Sequence, residues 1–205
     1  MRHLSLDEFT ARLASADPTP GGGSAAAAVG AFAAALVAML ARLSIGRGGG
    51  DALFARTAEA MDAARSRLLD SVAEDARAYD AVMGARRMSR GSEAEKAARA
   101  QAIQAAMRQA AEVPMDVADL ALTVLAAAQE ILPTANPNAA SDGGVAVLLA
   151  DAALQGAVAN VRINLAAMKD EAYRDAMAAR ADEALRRGGG LREESLAIVR
   201  GRVGS

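Results

Sequence analysis

The sequence of 205 residues contains no cysteine and no tryptophan, and its one histidine is His3. Without cysteine the chain can form no disulfide, no iron–sulfur cluster and no thiolate nucleophile. A single histidine argues against a metal site built from imidazoles. No metal is therefore expected in this protein. The absence of cysteine is compatible with a reducing compartment, and we expect the protein to be cytoplasmic.

Aromatic residues are also scarce, with three Phe and two Tyr, whereas 53% of the residues are hydrophobic and many of these are alanine. Alanine favours helices, and the residues that favour strands are few, so we predict an all-α fold of closely packed helices. The length suits a single domain covering residues 1–205. With 23 basic and 25 acidic residues, the net charge of -2 argues against a nucleic-acid partner.

The stretch Ala25–Ala41 carries no charge, so it must be tested as a membrane span. Alanine gains little from lipid, and the larger apolar residues fall short of a span of about 20 strongly apolar residues. We predict a buried central helix and no membrane partner. Ala26, Gly30 and Ala34 recur every four residues, which would let another helix approach closely in the core or in a homodimer interface. The order Ser5-Leu6-Asp7-Glu8 favours a capping box over a signal peptide.

The segment Pro18–Ser24, with the letters PTPGGGS, leads directly into this helix. Its prolines forbid helix, its glycines permit positive φ, and Ser24 can cap the helix. An open helix N-terminus attracts anionic or carbonyl-bearing ligands. A tight turn between helices would have a similar sequence, and the segment lacks the lysine of a phosphate loop. Taken by itself, the pattern leaves both interpretations open.

Periodicity predicts long helices, some of them kinked, in a helical bundle. Asp51 is expected to cap the third helix, Pro114 to break or kink the fourth near Glu112, and the glycines 188–190 to end the sixth. The predicted ranges are 6–15, 24–43, 51–84, 92–130, 141–168 and 170–187, with a short terminal helix after 190.

Asp75 is the strongest candidate for a catalytic residue, because it lies three residues after Val72 and four before Tyr79 on the apolar stripe of the third helix. A carboxylate on a buried face is costly unless it is paired or used. An ion pair or a cap on a neighbouring helix would explain it equally well.

Asn160 and Asn164 stand one turn apart on a predicted apolar face, where their amides could recognise a pterin or join two helices. Asp142, beside Ser141 at a helix start, suits the helix dipole better than it suits an acid. Asn136 and Asn138 could shape the loop or reach a ligand.

Five segments in order resemble the family of formiminotetrahydrofolate cyclodeaminases and methenyltetrahydrofolate cyclohydrolases, over about residues 4–175. They are PTPGGGSAAAAVGAFAAALVAML, EDARAYDAVM, QAIQAAMRQAAEVPMDVAD, NPNAASDGGVAVLL and NVRINL. The chain departs from the family pattern at Met88-Ser89, where Leu-Pro is common, so the path of the following basic loop is open.

The resemblance implies a folate pocket that holds Asp75, with the NPNxxSD segment nearby, in a homodimer built on the helix 25–43. It also implies a tetrahydrofolate derivative as substrate, with no further cofactor. Arg47, Arg86, Arg87 and Arg90 are candidate contacts for the glutamate tail of folate. Cyclodeaminase is the first choice of activity and cyclohydrolase the alternative, and a non-catalytic folate-binding or scaffold dimer is the competing class.

Together the residues and the resemblance predict Asp75 and Asp142 as catalytic carboxylates. The predicted substrate-binding residues are Pro20, Gly21, Gly22, Gly23, Ser24, Arg47, Tyr79, Asn136, Asn138, Ser141, Asn160 and Asn164.

Overall fold

The computed structural model describes residues 3–47 and 49–203, and these residues form six α-helices and one short 3-10 turn without any strand. Gly48, within the predicted glycine break after the second helix, lies outside the described residues. The helices are α1 (Leu6–Leu13), α2 (Gly22–Ser44), α3 (Asp51–Arg87), α4 (Glu93–Ile131), α5 (Ala140–Leu165) and α6 (Glu171–Val203), and the 3-10 turn covers Pro137–Ala139. The all-α prediction is confirmed.

Helices α2, α3, α4 and α5 form a four-helix bundle in which each packs against the next, and α5 closes the ring on α2. Helix α6 lies against α5 and α4. Alanines fill much of the bundle centre, and larger side chains such as Leu40, Leu68, Met115 and Leu154 are fully buried among them. Small side chains let helix backbones approach closely, so the alanine-rich composition is suited to this packing.

The small-residue stripe of α2 is used inside the protomer. Ala26 and Ala34 are buried, and a Cβ on Gly30 would lie 3.2 Å from Leu68 Cδ2 and 3.4 Å from Ala153 Cβ. The stripe therefore packs against α3 and α5 of the same chain. Of the two interpretations of the stripe, packing in the core is confirmed, and these residues are not exposed for a homodimer interface.

The length and apolar composition of α2, and of the segment Pro137–Leu165, would each allow a membrane crossing. Within their most apolar windows, 61% and 50% of the residues are buried in the protein. This is the burial expected of core helices in a bundle.

Two predicted caps are wrong. Helix α2 begins at Gly22 with Gly21 as N-cap and no side-chain cap, so Ser24 lies inside the first turn. Helix α3 has Gly50 as N-cap at φ 92°, and Asp51 Oδ1 instead accepts a hydrogen bond of 2.9 Å from the Gly46 N–H. In both places a glycine occupies the N-cap position and the polar side chain makes another contact. Only Gly50 has the left-handed backbone that favours glycine.

Helix α4 continues through Pro114, which was predicted to break or kink it. Proline has no N–H, so the carbonyl four residues earlier, at Ala110, loses its helical partner. Asn164 on α5 donates a hydrogen bond of 2.7 Å from Nδ2 to this carbonyl. The loss within α4 is therefore compensated by a side chain from the neighbouring helix.

Helix α6 also continues through the glycines 188–190, so the predicted end at 187 and the separate terminal helix are wrong. A Cβ on Gly188 would overlap Leu154 Cδ2 and lie 3.5 Å from Leu125 Cδ1. The glycine brings α6 close to α5 and α4 there. Packing of Ala184, Ser195 and Val199 on either side outweighs the low helix propensity of glycine.

Candidate active site

A cleft of about 420 Å³ opens where the start of α2, the C-terminal third of α3, one face of α4 and the end of α5 meet. Its volume lies within the usual range of small-molecule sites, about 300–1,000 Å³. The lining residues are Pro18, Thr19, Gly21, Gly22, Gly23, Asp75, Ala78, Tyr79, Val82, Met83, Arg86, Met107, Ala110, Asn160, Ile163, Asn164 and Ala167.

The half-buried Asp75 carboxylate lies in this cleft, against the first turn of α2. Its Oδ2 accepts a hydrogen bond of 2.8 Å from Ser24 Oγ. A Cβ on Gly23 would lie 2.7 Å from Asp75 Cγ and would overlap Oδ1. Only a glycine at position 23 therefore lets the α2 backbone approach the carboxylate so closely.

Asp75 and the preceding Glu74 differ in their charge partners. Glu74 is paired with Arg67 at 2.6 Å, and this hydrogen bond raises the pKa of the Arg67 guanidinium. Across the described chain, Asp75 has no ion pair with any Lys or Arg, and Ser24 is its one side-chain hydrogen-bond partner. The ion-pair explanation considered from the sequence therefore does not apply to Asp75.

The positive end of α2 faces the protein's own carboxylate. The glycines at the start of α2 do not have positive φ, unlike Gly46, Gly49 and Gly50. Their role is close approach, and the negative charge of Asp75 complements the partial positive charge of the helix N-terminus. An anionic ligand would meet Asp75 at this point, whereas a cationic group would be attracted to it.

Asn160 and Asn164 line the opposite wall of the cleft from α5. Asn160 Nδ2 donates 2.8 Å to the Gly156 carbonyl, and no described residue donates to its Oδ1. Asn164 Nδ2 donates to the Ala110 carbonyl, which has no partner within α4 because Pro114 lacks an N–H. Asn164 therefore joins two helices, whereas the Asn160 Oδ1 has no donor among the described residues.

A family model described as formiminotransferase-cyclodeaminase matches residues 5–183. This chain belongs to the formiminotransferase-cyclodeaminase family. It is 37% identical over 202 residues to a methenyltetrahydrofolate cyclohydrolase of Methylorubrum extorquens, covering 97% of both chains. It is 34% identical over 174 residues to a formimidoyltransferase-cyclodeaminase of Rattus norvegicus, covering 83% of this chain and 32% of that one.

The crystal structure of a formiminotetrahydrofolate cyclodeaminase from Thermotoga maritima has the same fold. It superposes with a TM-score of 0.88 at 33% identity and covers 98% of each chain. The resemblance inferred from the sequence is thus confirmed, and the chain is a member of a family of folate one-carbon enzymes.

Seven of the predicted site residues line the cleft of this family member: Gly21, Gly22, Gly23, Asp75, Tyr79, Asn160 and Asn164. Pro20 and Ser24 are buried beside it without lining it, and Ser24 is 0% exposed. Ser24 therefore does not reach a ligand in the cleft, and it contacts Asp75 instead.

The predicted residues Asn136, Asn138, Ser141 and Asp142 lie near the start of α5, whereas Asn160 lies near its end. Helix α5 is unbroken, so 18 residues of helix separate Asp142 from Asn160 by about 27 Å. Within the protomer, these two groups of predicted residues are not brought together.

Asn136 instead fastens its loop to the end of α2. Its backbone N–H donates 2.8 Å to Ser44 Oγ, and its Nδ2 donates 3.2 Å to the Leu43 carbonyl. Its Oδ1 accepts from the Asn138 N–H at 3.1 Å. Arg47 is exposed in the following connection and does not line the cleft.

Several cleft residues were missed by sequence reasoning. Val82 and Met83 follow Asp75 and Tyr79 by helical steps, and Ile163 and Ala167 follow Asn160 in the same way. This periodicity could have identified them. Pro18 and Thr19 belong to the PTPGGGS segment that the sequence singled out, although they were not among the named substrate-binding residues. Met107 and Ala110 come from α4, whose position beside the cleft depends on tertiary packing.

Proposed function

We propose that this protein hydrolyses 5,10-methenyltetrahydrofolate to 10-formyltetrahydrofolate, with Asp75 as the catalytic carboxylate. The observation that supports this most is the Asp75 carboxylate in the cleft, which has no cationic partner among the described residues. The methenyl bridge between N5 and N10 is cationic, and a nearby carboxylate stabilises such a charge. The cyclohydrolase relative that matches over 97% of both chains favours hydrolysis as the first choice.

In this reaction, water adds to the bridge carbon and gives a tetrahedral adduct. Asp75 accepts a proton from the attacking water, and this proton passes to N5 as the bond between the carbon and N5 breaks. The hydroxyl proton of the adduct leaves as the formyl carbonyl forms on N10. One water is consumed and one proton is released, so Asp75 returns to its ionised state.

The two ends of the cleft suit the two ends of a folate. Asp75 and the Asn160 Oδ1 would face the pterin and the bridge, and the amide oxygen can accept from a ring N–H. Tyr79, Val82 and Met107 provide apolar surface between the ends. Arg86 lies 11 residues after Asp75 along α3, about 16 Å away, and would meet the glutamate carboxylate.

Cyclodeamination of 5-formiminotetrahydrofolate is the second candidate, supported by the relative from Thermotoga maritima. Here N10 attacks the carbon of the protonated formimino group. The N10 proton then passes to the amino nitrogen on that carbon, which leaves as ammonia. The product is again the methenyl cation. Asp75 would carry this proton and stabilise this cation, so the same residue suits both reactions.

We further propose a homodimer whose interface uses exposed apolar side chains of α2 and α5, in place of the buried small-residue stripe. Phe32 and Leu43 on α2 and Val145, Leu148 and Ile163 on α5 are exposed. Ile163 also lines the cleft, so a partner on this face would border the site. Sedimentation at micromolar concentration tests this, and a stable folded monomer would contradict it.

A spectrophotometric assay of both substrates tests the proposed activity, because methenyltetrahydrofolate absorbs distinctively. Hydrolysis predicts an enzyme-dependent loss of this absorbance, and cyclodeamination predicts its appearance from 5-formiminotetrahydrofolate. The proposal fails if neither rate exceeds the rate without enzyme while the protein is folded. The proposals of no metal and no further cofactor predict that dialysis against a chelator leaves the rate unchanged.

A further inference from the structure

We propose that Ser24 is a positioning residue for Asp75, holding the carboxyl group in both its ionised and its protonated state. This inference rests on the proposed function, in which Asp75 takes up and releases a proton in each turnover. Ser24 itself is 0% exposed and does not line the cleft, so any effect on turnover must pass through Asp75.

The Ser24 hydroxyl lies between two acceptors. Its Oγ is 2.8 Å from Asp75 Oδ2 and 3.1 Å from the Val72 carbonyl oxygen. A hydroxyl has one hydrogen and can also accept, so it donates to one of these oxygens at a time. With Asp75 ionised, the hydrogen points to Oδ2.

A proton that Asp75 takes from water in the cleft and passes to N5 lies on the cleft-facing side of the carboxyl group, so in that state Oδ2 still accepts from Ser24 Oγ. When the proton lies on the Ser24 side of Oδ2 instead, the carboxyl O–H donates to Ser24 Oγ and the Ser24 hydrogen rotates to the Val72 carbonyl. Each state leaves the buried hydroxyl satisfied without water and without a movement of heavy atoms. Gly23 holds the other side of the carboxyl group, because the absence of a Cβ there lets the α2 backbone pack against Oδ1.

The proposal predicts a selective effect of Ser24→Ala. We expect kcat to fall about 10- to 100-fold, as for loss of a hydrogen bond to a charged group, with KM unchanged. The matched control is Ser71→Ala. Ser71 is a buried serine on α3 whose Oγ donates 3.1 Å to the Arg67 carbonyl and makes no hydrogen bond to Asp75, so kcat should not change.

A double-mutant cycle tests whether Ser24 acts through Asp75. In the Asp75→Asn background no proton-transferring carboxyl remains, so Ser24→Ala should cause no further loss of kcat. An equal fold-loss in both backgrounds would overturn the positioning role. A raised KM with unchanged kcat would overturn it too, because Ser24 would then contact substrate.

A second double-mutant cycle, measured by thermal unfolding, separates this proposal from the proposed function. Ser24→Ala should lower the melting temperature more in the wild type than in Asp75→Ala, where the carboxylate is absent. Equal drops would show a structural serine bonded to Val72 alone and would overturn the proposal. A wild type that is inactive on both folates but shows this coupling would overturn the proposed function and leave the positioning of Asp75 supported.

Discussion

The glycine triplets 21–23 and 188–190 have the same sequence and opposite surroundings. Gly23 and Gly188 each sit where a Cβ would overlap a neighbour, which is the Asp75 carboxylate in one case and the Leu154 side chain in the other. The first triplet begins a helix beside an open cleft, and the second lies inside a helix packed on the core. Close approach is thus the shared physical role, and the chemistry of the neighbour separates a candidate catalytic contact from a packing contact.

Replacing Asp75, which packs against the first triplet, should have the largest effect on turnover. Asp75→Asn keeps the shape of the side chain and removes its charge and its proton transfer, so turnover should fall about 10²- to 10⁴-fold. Among the described residues no ion-pair partner is left stranded, and only the attraction to the α2 N-terminus is lost, so the melting temperature should change little. Steady-state kinetics and thermal unfolding of the same preparation measure both. Normal turnover with a sharply lowered melting temperature would make Asp75 a structural residue.

Gly23→Ala should impair turnover through the same carboxylate. The added Cβ would force Asp75 away from the start of α2, and we expect kcat to fall about tenfold or more, since even a small misplacement of a catalytic group is costly. Gly84→Ala on α3 is the matched control, because its Cβ would have no described neighbour within 4 Å and Gly84 does not line the cleft. Equal rates for the two variants would show that close approach at Gly23 is not needed for activity.

Gly188→Ala should destabilise the protein while leaving kcat unchanged. Its Cβ would overlap Leu154 in the packed contact between α6 and α5, and overpacking of this kind costs about 1–3 kcal/mol. Chemical denaturation gives the free energy of unfolding, and the folate assay gives kcat. A loss of kcat at a temperature where the variant is fully folded would remove the distinction between the two triplets.

Gly189→Ala should have the smallest effect and the opposite sign. A Cβ at this helical position would have no atom within 4 Å, so alanine should stabilise α6 by about 0.5–1 kcal/mol through its higher helix propensity. Denaturation beside Gly188→Ala measures the difference between adjacent glycines. Destabilisation by both substitutions would indicate that the triplet is needed for its flexibility.

Local sequence signals predicted local structure well. Ser5 forms the capping box expected from Glu8, and α1 begins where this box places it. Helix α4 begins at Glu93, within one residue of the predicted start at 92, with Ser92 as its N-cap. The apolar stripe around Val72 placed Asp75 correctly on a half-buried face. These features depend on neighbours within one or two turns, so a single sequence contains the information.

Features that depend on a second helix were not predictable in this way. Pro114 looked like a break, because the compensating donor, Asn164, lies 50 residues away in the chain. Ser24 was predicted to cap α2 because its sequence neighbours suggest a helix start. Its actual hydrogen-bond partner, Asp75, lies on α3 and cannot be identified from the local sequence. Asn136 and Asp142 looked like members of the site, but an unbroken α5 separates them from Asn160.

A crystal structure of the protein with folinic acid bound tests the location and the chemistry of the site most directly. We expect the folate in the cleft beside Gly22, with the region between N5 and N10 within hydrogen-bonding distance of Asp75 and the glutamate carboxylate toward Arg86. A folate bound beside Asp142 at the other end of α5, with the Asp75 cleft empty, would contradict this expectation.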